Sequence, residues 1–564
     1  MRIRRECILR AILLAGILAA PAWLVKSSAA KRPAAQKPES VTITLLGTTD
    51  LHGRIEPWDY YTEKPVDLGL VKISTLVKKV RAEDPDALLF DCGDMIQDPH
   101  SALANYFLDK DPAKPNPLVA AMNALHYDAM VVGNHEFNYN PQPMLKLKGE
   151  SKFPWLAANI RQPYTDGVQY FPPYIIKTVK GVRIGIVGFI TTVAPPSKDY
   201  QFDPIIETAR RVIPELRPKV DLLVVLLHSG FVHDPLGEDP GRMQQKDENV
   251  LPDLAVEVPG IDVIMYGHTH SELPEKFING VLLTEAKYWG MSLAEANIKM
   301  TKTADGHWTV ASKQSHTIPV TADVAADQEI VKVVQPYRKE LDQYLDTPIG
   351  ASTKALSGKH SLYEDTPLLD VVQETQMEAT HADVSLAFLI NQELKIPAGP
   401  ITVRQAGSIY PDSNNIVAVE MTGAQLKEAL EHGAGFFPAW PPPAGQSMQM
   451  PPVIPDEAEG VTYEIDLTRP TGDRIRDLKF QGKPLDAAQK LKVAISGSRR
   501  MGEDGYAVYM KLPIVSRAND MRELVINHVT VRKKLPTEAV GSWKIVPPEA
   551  ASALEKAEDS GNAR

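Results

Sequence analysis

Cysteine is scarce in this chain, with two among 564 residues. One of them, Cys7, lies in the first 30 residues, so only Cys92 remains beyond them. A lone cysteine excludes an internal disulfide there, and two exclude a disulfide-rich scaffold. The chain therefore depends on an apolar core, and its 43% hydrophobic and 23% charged residues are typical of globular proteins.

Basic residues are also few relative to acidic ones, and the formal net charge is −10. The first 30 residues hold five basic residues and one acidic residue, so the remainder has 56 bases, 70 acids and a net charge of −14. A negative chain disfavours nonspecific binding to nucleic-acid polymers and to anionic membranes. The composition therefore excludes a polyanion-binding role but not a small-molecule partner.

A hydrophobic run long enough to span a membrane is the third feature that is missing. The run at 11–25 has 15 uncharged residues and includes Pro21, whereas a spanning helix needs about 20 apolar residues. Arg2, Arg4, Arg5 and Arg10 precede the run, and small residues follow it. This order of basic, apolar and small residues is typical of an export signal.

We therefore predict a signal peptide at 1–30, a tether at 31–40 and a periplasmic or secreted protein. The adjacent Arg4 and Arg5 leave both the Sec and the twin-arginine routes open. An uncleaved signal anchor is the alternative, but after cleavage we expect no stable membrane insertion.

Residues 41–321 alternate apolar runs with helix-like segments. Six of the runs read as buried strands, most of them ending in a polar loop: Val41–Gly47, Ala87–Phe90, Ala129–Val132, Val182–Phe189, Leu222–Leu227 and Val263–Tyr266. Repetition of strand, loop and helix predicts a layered α/β domain with its chemistry at the strand ends.

The second half of the chain has a different pattern. Residues 322–346 combine helical apolar spacing with many charges, which predicts an exposed linker helix. Residues 347–545 mix helix-like and strand-like segments, and part of the proline excess falls in an extended loop at 438–455. We predict a disordered tail at 546–564.

Five polar clusters follow the strands of the first half. They are Asp50-Leu51-His52, Gly93-Asp94, Gly133-Asn134-His135-Glu136, His228-Ser229 and Gly267-His268-Thr269-His270. Carboxylate, imidazole and amide groups are donors for paired divalent ions such as Zn, Mn or Fe. Glycines stand beside three clusters, where we expect them to let the backbone turn sharply. The pattern predicts a site for two divalent metal ions.

These clusters resemble the signature of the calcineurin-like metallophosphoesterases. More closely, Thr48–Gly53 and Gly133–Asn138 resemble the secreted 5′-nucleotidase, 2′,3′-cyclic-nucleotide phosphodiesterase and UDP-sugar hydrolase family, and the resemblance extends over about 41–540. It implies a four-layer α/β/β/α metallophosphoesterase domain followed by a smaller α+β substrate-binding domain of the 5′-nucleotidase type.

The resemblance also implies two ligand sets that share Asp94. One set comprises Asp50, His52, Asp94 and His270, and the other comprises Asp94, Asn134, His228 and His268. In the family a hydroxide bridging the two ions attacks phosphorus in line, and His135 stabilises the charge that develops. Many relatives have Asp where Asn138 stands, so we expect His135 to be less basic here.

Four segments of the second half, at 399–404, 409–414, 420–423 and 502–506, resemble the family's nucleotide-binding domain. Relatives clamp the base between two aromatic rings, but Asp412 and Ser498 occupy those positions here, and neither stacks on a base. Phe436, Phe437 and Trp440 either substitute for these two aromatic rings or pack beneath the proline loop. The predicted substrate contacts are Asn391, Arg404, Asp412, Asn414, Ser498, Arg499 and Asp504. The alternative for the two arginines is that they are solvated surface charges.

The sequence thus predicts an exported, monomeric hydrolase of phosphate esters, with 5′-nucleotidase or 2′,3′-cyclic phosphodiesterase activity. A thiosulfohydrolase-like reaction, or a phosphoesterase that does not use nucleotides, is the alternative on the same scaffold. A non-catalytic nucleotide-binding or adhesion protein is a third hypothesis, and the intact set of metal donors argues against it.

Overall fold

The computed structural model describes residues 39–96, 101–138, 141–162, 170–192, 199–231, 247–411, 414–518 and 520–560. From Ser40 onward they belong to one compact unit. The predicted signal peptide and nearly all of the tether lie outside the described residues. No helix within the described ranges is long and apolar enough to cross a membrane.

All six predicted strands are present and fall into two six-stranded sheets. The first sheet has the order Trp308–Pro319, Ser292–Lys302, Ser40–Thr48, Leu88–Asp91, Ala129–Val131 and Trp155–Leu156. The second has the order Leu273–Ile278, Val281–Glu285, Val263–Gly267, Leu222–His228, Val182–Ile190 and Tyr174–Val179. The central strands are parallel in both, which agrees with their nearly continuous apolar sequences.

The two sheets pack face to face and helices cover their outer faces. Ile43 and Phe90 of the first sheet share one apolar cluster with Ile184 and Val224 of the second. Helices Leu70–Glu83, Ala102–Asn105, Pro117–Ala124 and Pro141–Glu150 pack outside the first sheet, and Ile205–Leu216 and Leu251–Glu257 pack outside the second. The expected α/β/β/α layering is confirmed.

A helix over Gln328–Leu345 connects this part to the second half. It begins at Asp327, whose side chain accepts a hydrogen bond from the backbone N–H of Glu329. Its apolar face, including Val334 and Leu341, joins an apolar cluster that extends into both halves of the chain. The predicted linker helix is therefore present, with one side buried.

Besides short strand pairs, the second half contains two larger sheets. One has the order Glu457–Glu459, Val384–Ala387, Lys490–Ser496, Ile416–Thr422 and Ile514–Ala518. The other has the order Lys483–Pro484, Ile475–Phe480, Val461–Asp466 and Trp543–Val546. The longer helices are Pro367–Thr380, Val403–Ile409, Gly423–Ala434, Met521–Arg532 and Pro548–Asp559. Short strands Pro348–Ser352 and Gly399–Thr402 pair separately. Residues 435–456 contain neither helix nor strand, as their prolines predict.

The predicted disordered tail at 546–564 is wrong for most of its length. Pro548–Asp559 is a helix that buries Ala550, Leu554 and Ala557, and the first two of these belong to the second half's apolar cluster. The spacing of these three residues places them on one helical face. The acidic and basic residues between them, which suggested a solvated tail, lie on the opposite side.

Candidate metal centre

The predicted metal ligands lie at the carboxyl ends of neighbouring parallel strands. Asp50 and His52 follow Ser40–Thr48, and Asp94 follows Leu88–Asp91. In the second sheet, His228 is the last residue of its strand. Because the sheets are stacked, these ends converge on one edge of the sandwich.

The convergence produces two groups of donors. Within each group one donor atom per residue lies within 4.8 Å of the others; the groups are Asp50, His52, His270 and Asp94, His228, His268. Asp94 Oδ2 lies 3.0 Å from His228 Nε2, which is also 3.1 Å from Asn134 Oδ1. The structure thus brings together all seven predicted ligands.

Asp94 is buried, yet it favours its charged form. Burial acts to raise the pKa of its carboxyl, but the imidazoles of His228 and His135 outweigh burial and hold the pKa well below the ordinary value. The site therefore offers an ionised carboxylate, which is the state that a divalent cation requires.

The backbone at this site is strained. Five of the seven predicted ligands have left-handed φ angles: Asp50 49°, His52 46°, Asp94 54°, His268 88° and His270 55°. This conformation costs a non-glycine residue about 1–3 kcal/mol and concentrates at functional sites. The fold thus retains five such residues where a regular strand end would need none.

The neighbouring glycines have two different roles, and only one was expected. Gly93 has φ 96°, so it makes the sharp turn that the sequence suggested. Gly133 and Gly267 do not have positive φ angles, and their role is to leave room. A Cβ on Gly133 would lie 2.1 Å from Asp94 Oδ1, and one on Gly267 would lie 1.7 Å from Thr49 Oγ1.

Two buried glutamates support the ligands, and neither was assigned a role from the sequence. Glu136 accepts hydrogen bonds from the backbone N–H groups of Asp94, Met95 and Gly133, at 2.6–3.0 Å. Glu248 Oε1 lies 3.1 Å from His268 Nε2. Glu136 belongs to a recognised motif, whereas no local pattern marks Glu248.

Three of the four histidines in the predicted ligand set are oriented through one ring nitrogen. His52 Nδ1 lies 3.2 Å from the carbonyl oxygen of Ile96, and His228 Nδ1 lies 2.7 Å from that of Cys92. Glu248 contacts Nε2 of His268 in the same way. In each of these three rings the other nitrogen remains available to the donor group. These contacts fix which nitrogen binds a metal.

Replacing Glu248 with alanine is expected to weaken metal binding by about 10–100-fold, because such contacts hold a ligating histidine in its orientation. Glu248→Gln keeps an oxygen at the same position and should retain more of the affinity. Metal titration followed by elemental analysis measures the change. The control is Glu257→Ala, which removes a surface pair with Arg210. Equal affinity in Glu248→Ala and Glu257→Ala would contradict this role.

Comparison with known families agrees with this geometry. A family model described as calcineurin-like phosphoesterase matches residues 43–272, and one described as the 5′-nucleotidase C-terminal domain matches residues 348–511. The chain belongs to this two-domain metallophosphoesterase family. Members of this family hydrolyse phosphate esters.

Similar proteins of this metallophosphoesterase family include nucleotide phosphoesterases. YfkN of Bacillus subtilis, described as a trifunctional nucleotide phosphoesterase, is 28% identical over 90% of this chain and 39% of its own length. The 2′,3′-cyclic-nucleotide 2′-phosphodiesterase/3′-nucleotidase of Haemophilus influenzae is 26% identical over 90% of this chain and 88% of that protein. The chain thus spans about two fifths of the first relative and most of the second.

A solved structure shares the fold. The 5′-nucleotidase precursor from Thermus thermophilus has a TM-score of 0.53 and 24% identity, covering 90% of this chain and 100% of that one. At this identity the likeness concerns the fold alone.

The second domain of this metallophosphoesterase places Arg404 away from open surface. Its guanidinium is buried and lies 3.0 Å from Asp342 Oδ1 and 3.1 Å from Asp346 Oδ1, and it also donates to the backbone carbonyl of Tyr60. Arg404 therefore joins the linker helix to the metallophosphoesterase domain. The prediction that it meets a substrate phosphate finds no support in this arrangement.

Arg499 is likewise buried, with 1% of its surface exposed. It pairs with Asp456 at 2.9 Å and with Asp504. Ser498 is half-buried, and its hydroxyl lies 3.1 Å from that of Ser496. Arg499 and Asp504 are thus partners of each other, and neither is an isolated surface charge.

The remaining predicted substrate contacts are less constrained. Asn391 is half-buried and donates to the carbonyl of Ser408, and Asn414 is half-buried. Asp412 lies outside the described residues. The candidate stacking rings Phe436, Phe437 and Trp440 all pack against the second domain's apolar cluster, which favours the packing alternative for them.

Proposed function

We propose that this protein is an exported hydrolase of nucleotide phosphate esters that uses two divalent metal ions, Zn, Mn or Fe. Its substrates would be 5′-nucleotides, 2′,3′-cyclic nucleotides or both. The observation that carries the proposal is the pair of donor groups, one of which contains Asp94 and His228 at 3.0 Å from each other. The nucleotide phosphoesterases among its relatives support the choice of substrate.

The donors fit two such ions. Carboxylates, imidazoles and one amide suit Zn²⁺, Mn²⁺ or Fe²⁺, and the strained backbone preorganises them. Two ions would supply Lewis acidity toward the phosphoryl oxygens and acidify the attacking water. In this proposal Asp94 serves both ions, with Asp50, His52 and His270 on one side and Asn134, His228 and His268 on the other.

His135 is the proposed catalytic residue outside the ligand set. Its Nε2 lies 3.9 Å from Asp94 Oδ2, so the ring faces the donor groups. Asn138 Nδ2 lies 2.7 Å from His135 Nδ1. An amide N–H donating to Nδ1 leaves the ring proton on Nε2. His135 is thereby set to donate a hydrogen bond to a phosphoryl or leaving oxygen, and Asn138 positions it.

Export to the periplasm or the medium is part of the proposal and rests on the basic, apolar and small-residue order of the first 30 residues. Cell fractionation of the full chain checks it. A protein found in the cytoplasm at full length would contradict export without affecting the proposed chemistry.

A substrate panel tests the activity. With Mn²⁺ or Zn²⁺, the purified protein is expected to release phosphate from 5′-AMP, to open 2′,3′-cyclic AMP and to cleave bis-p-nitrophenyl phosphate; UDP-glucose completes the panel. Chelation should abolish each activity, and added metal should restore it. No turnover of any ester with any metal would overturn the proposal. In that outcome, the next assay is hydrolysis of a thiosulfonate-modified thiol, because a thiosulfohydrolase-like reaction is the alternative on the same scaffold.

A further inference from the structure

His270 is the exposed member of the predicted ligand set. Its side chain is 41% exposed, whereas that of Asp50, in the same donor group, is fully buried. The His270 Nε2 nevertheless lies 3.5 Å from Asp50 Oδ1 and 2.9 Å from His52 Nε2, so the ring is directed into the donor group. An exposed side chain keeps its rotamer freedom unless a neighbour restrains it, and ordering it when a ligand binds costs free energy.

A tyrosine restrains this ring from one side. Tyr288 is half-buried and stacks on His270, with ring centres 4.9 Å apart and planes 17° from parallel. A flat stack covers one face of the imidazole and leaves the ring edge, which carries both nitrogens, free for other partners. Rotation of the imidazole out of the donor group would break this aromatic contact, so the stack favours the orientation in which His270 can bind a metal.

The topology of the second sheet brings the two rings together. Strand Val263–Gly267 leads to His270, and strand Val281–Glu285 leads to Tyr288. The two strands pair in parallel, so the segments that follow them emerge at the same edge of the sheet. The contact between the rings therefore follows from the pairing of the strands.

The turn that carries Tyr288 is anchored to the same donor group. It spans Tyr288–Gly290 and contains Trp289 at φ 58°. The backbone N–H of Trp289 donates to the carbonyl oxygen of Asp50 at 2.9 Å. The Trp289 ring meets the Tyr288 ring edge-on with centres 4.9 Å apart, and the guanidinium carbon of Arg54 lies 4.4 Å from the Trp289 ring centre. These contacts fix the position of Tyr288 against the segment that supplies Asp50.

The turn contacts one donor group, and the other group has different supports. Asp50 and His270, which the turn contacts, belong to the group that also contains His52. The histidines of the other group are oriented by the carbonyl oxygen of Cys92 and by Glu248. A change at the turn should therefore affect one metal ion more than the other.

We propose that Tyr288 is a positioning residue that keeps His270 in its ligating orientation and thereby sets the affinity of one of the two metal ions. This inference rests on the proposed function, because it assigns a support to one of the two proposed ions. Tyr288 acts through the imidazole, whose rotation it limits before the ion binds. Preorganisation of this kind raises affinity without adding a ligand.

The test measures metal binding and does not depend on activity. Metal-free protein is titrated with Mn²⁺ at buffered free concentrations, and the ions bound per chain are counted by elemental analysis. Tyr288→Leu is expected to raise the dissociation constant of one ion by about 2- to 13-fold, the value of one aromatic pair. The dissociation constant of the other ion should stay unchanged.

Tyr288→Phe supplies the matched comparison, because it keeps the stacked ring and removes the hydroxyl. Both ions should bind to this variant as they bind to the wild type. Tyr174→Leu is the control: it also replaces a half-buried tyrosine, on an edge strand of the same sheet beside Lys219, and should alter neither ion. Tyr288→Ala gives the same comparison if Tyr288→Leu does not fold.

The modes of failure are distinguishable. Unchanged binding of both ions in Tyr288→Leu would overturn the positioning role while leaving the hydrolase proposal intact. Equal weakening of both ions would assign Tyr288 a structural role, and equal weakening in the Leu and Phe variants would assign the effect to the hydroxyl; either result overturns the proposal. A wild-type protein that binds fewer than two ions would overturn the two-metal proposal, and the positioning role with it.

Discussion

Asp94→Ala is expected to abolish phosphate-ester turnover and to reduce the bound metal from two ions per chain to one or none. Altering a residue that only orients a metal ligand costs about 10–100-fold, and Asp94 is the ligand proposed to serve both ions, so the loss should exceed that range. Its removal also leaves His228 without the carboxylate that lies 3.0 Å away. Steady-state kinetics with bis-p-nitrophenyl phosphate and elemental analysis measure both effects.

Asp94→Asn separates the loss of charge from the loss of the side chain, because it keeps the shape of Asp94. The matched control is Asp91→Asn. Asp91 is buried three residues earlier, where it bonds to Thr48 at 2.7 Å and to the N–H of Gly93 at 3.0 Å.

Burial raises the pKa of Asp91 well above its ordinary value, with Glu136 and Asp50 nearby adding to the rise. The raised pKa favours the neutral form of this carboxyl, and a neutral amide resembles that form in shape. Asp91→Asn should retain most activity. Comparable activity in the Asp94 and Asp91 variants would contradict the shared-ligand role.

Gly133→Ala should reduce turnover by about a hundredfold or more although it removes no donor. The added Cβ would lie 2.1 Å from Asp94 Oδ1 and 2.5 Å from its backbone nitrogen, so Asp94 has to move. A displacement of about 1 Å at a catalytic group costs on the order of a hundredfold in rate. The measurement is kcat/KM together with the number of metal ions bound.

Gly149→Ala is the control for this substitution. Gly149 lies within helix Pro141–Glu150, and a Cβ there would meet no atom within 4 Å. Alanine should raise helix stability by up to about 1 kcal/mol without altering turnover. Thermal unfolding of both variants separates a local displacement at the metal centre from general destabilisation. Wild-type activity and metal content in Gly133→Ala would show that the position of Asp94 is not critical.

Much of the fold could be predicted because the strands of the first half are buried on both faces. Runs such as Leu222–His228 are apolar throughout, and polar residues begin where each run ends. A tail helix is harder to predict, since Ala550, Leu554 and Ala557 form an apolar stripe only three residues long. Its stability comes from the cluster it contacts, which local sequence does not display.

The candidate site also has some features that the sequence predicts and others that it does not. The ligand motifs stand at strand ends and follow from residue order, whereas Glu248 supports His268 from 20 residues away, with a helix and a strand between them. For Arg404 and Arg499, the sequence shows that each side chain is charged but does not show which carboxylates it contacts. A basic residue reads as a surface group until its buried partners are known.

The scarcity of cysteine, the negative charge and the five donor clusters were properties of the sequence itself. They sufficed to exclude a disulfide scaffold and a polyanion-binding role and to predict a site for two metal ions. Only the tertiary structure decided that Gly133 makes room for Asp94 and that Arg404 and Arg499 are internal supports. The physical reason is that donor chemistry belongs to single residues, while free space, burial and ion pairing depend on segments distant in sequence.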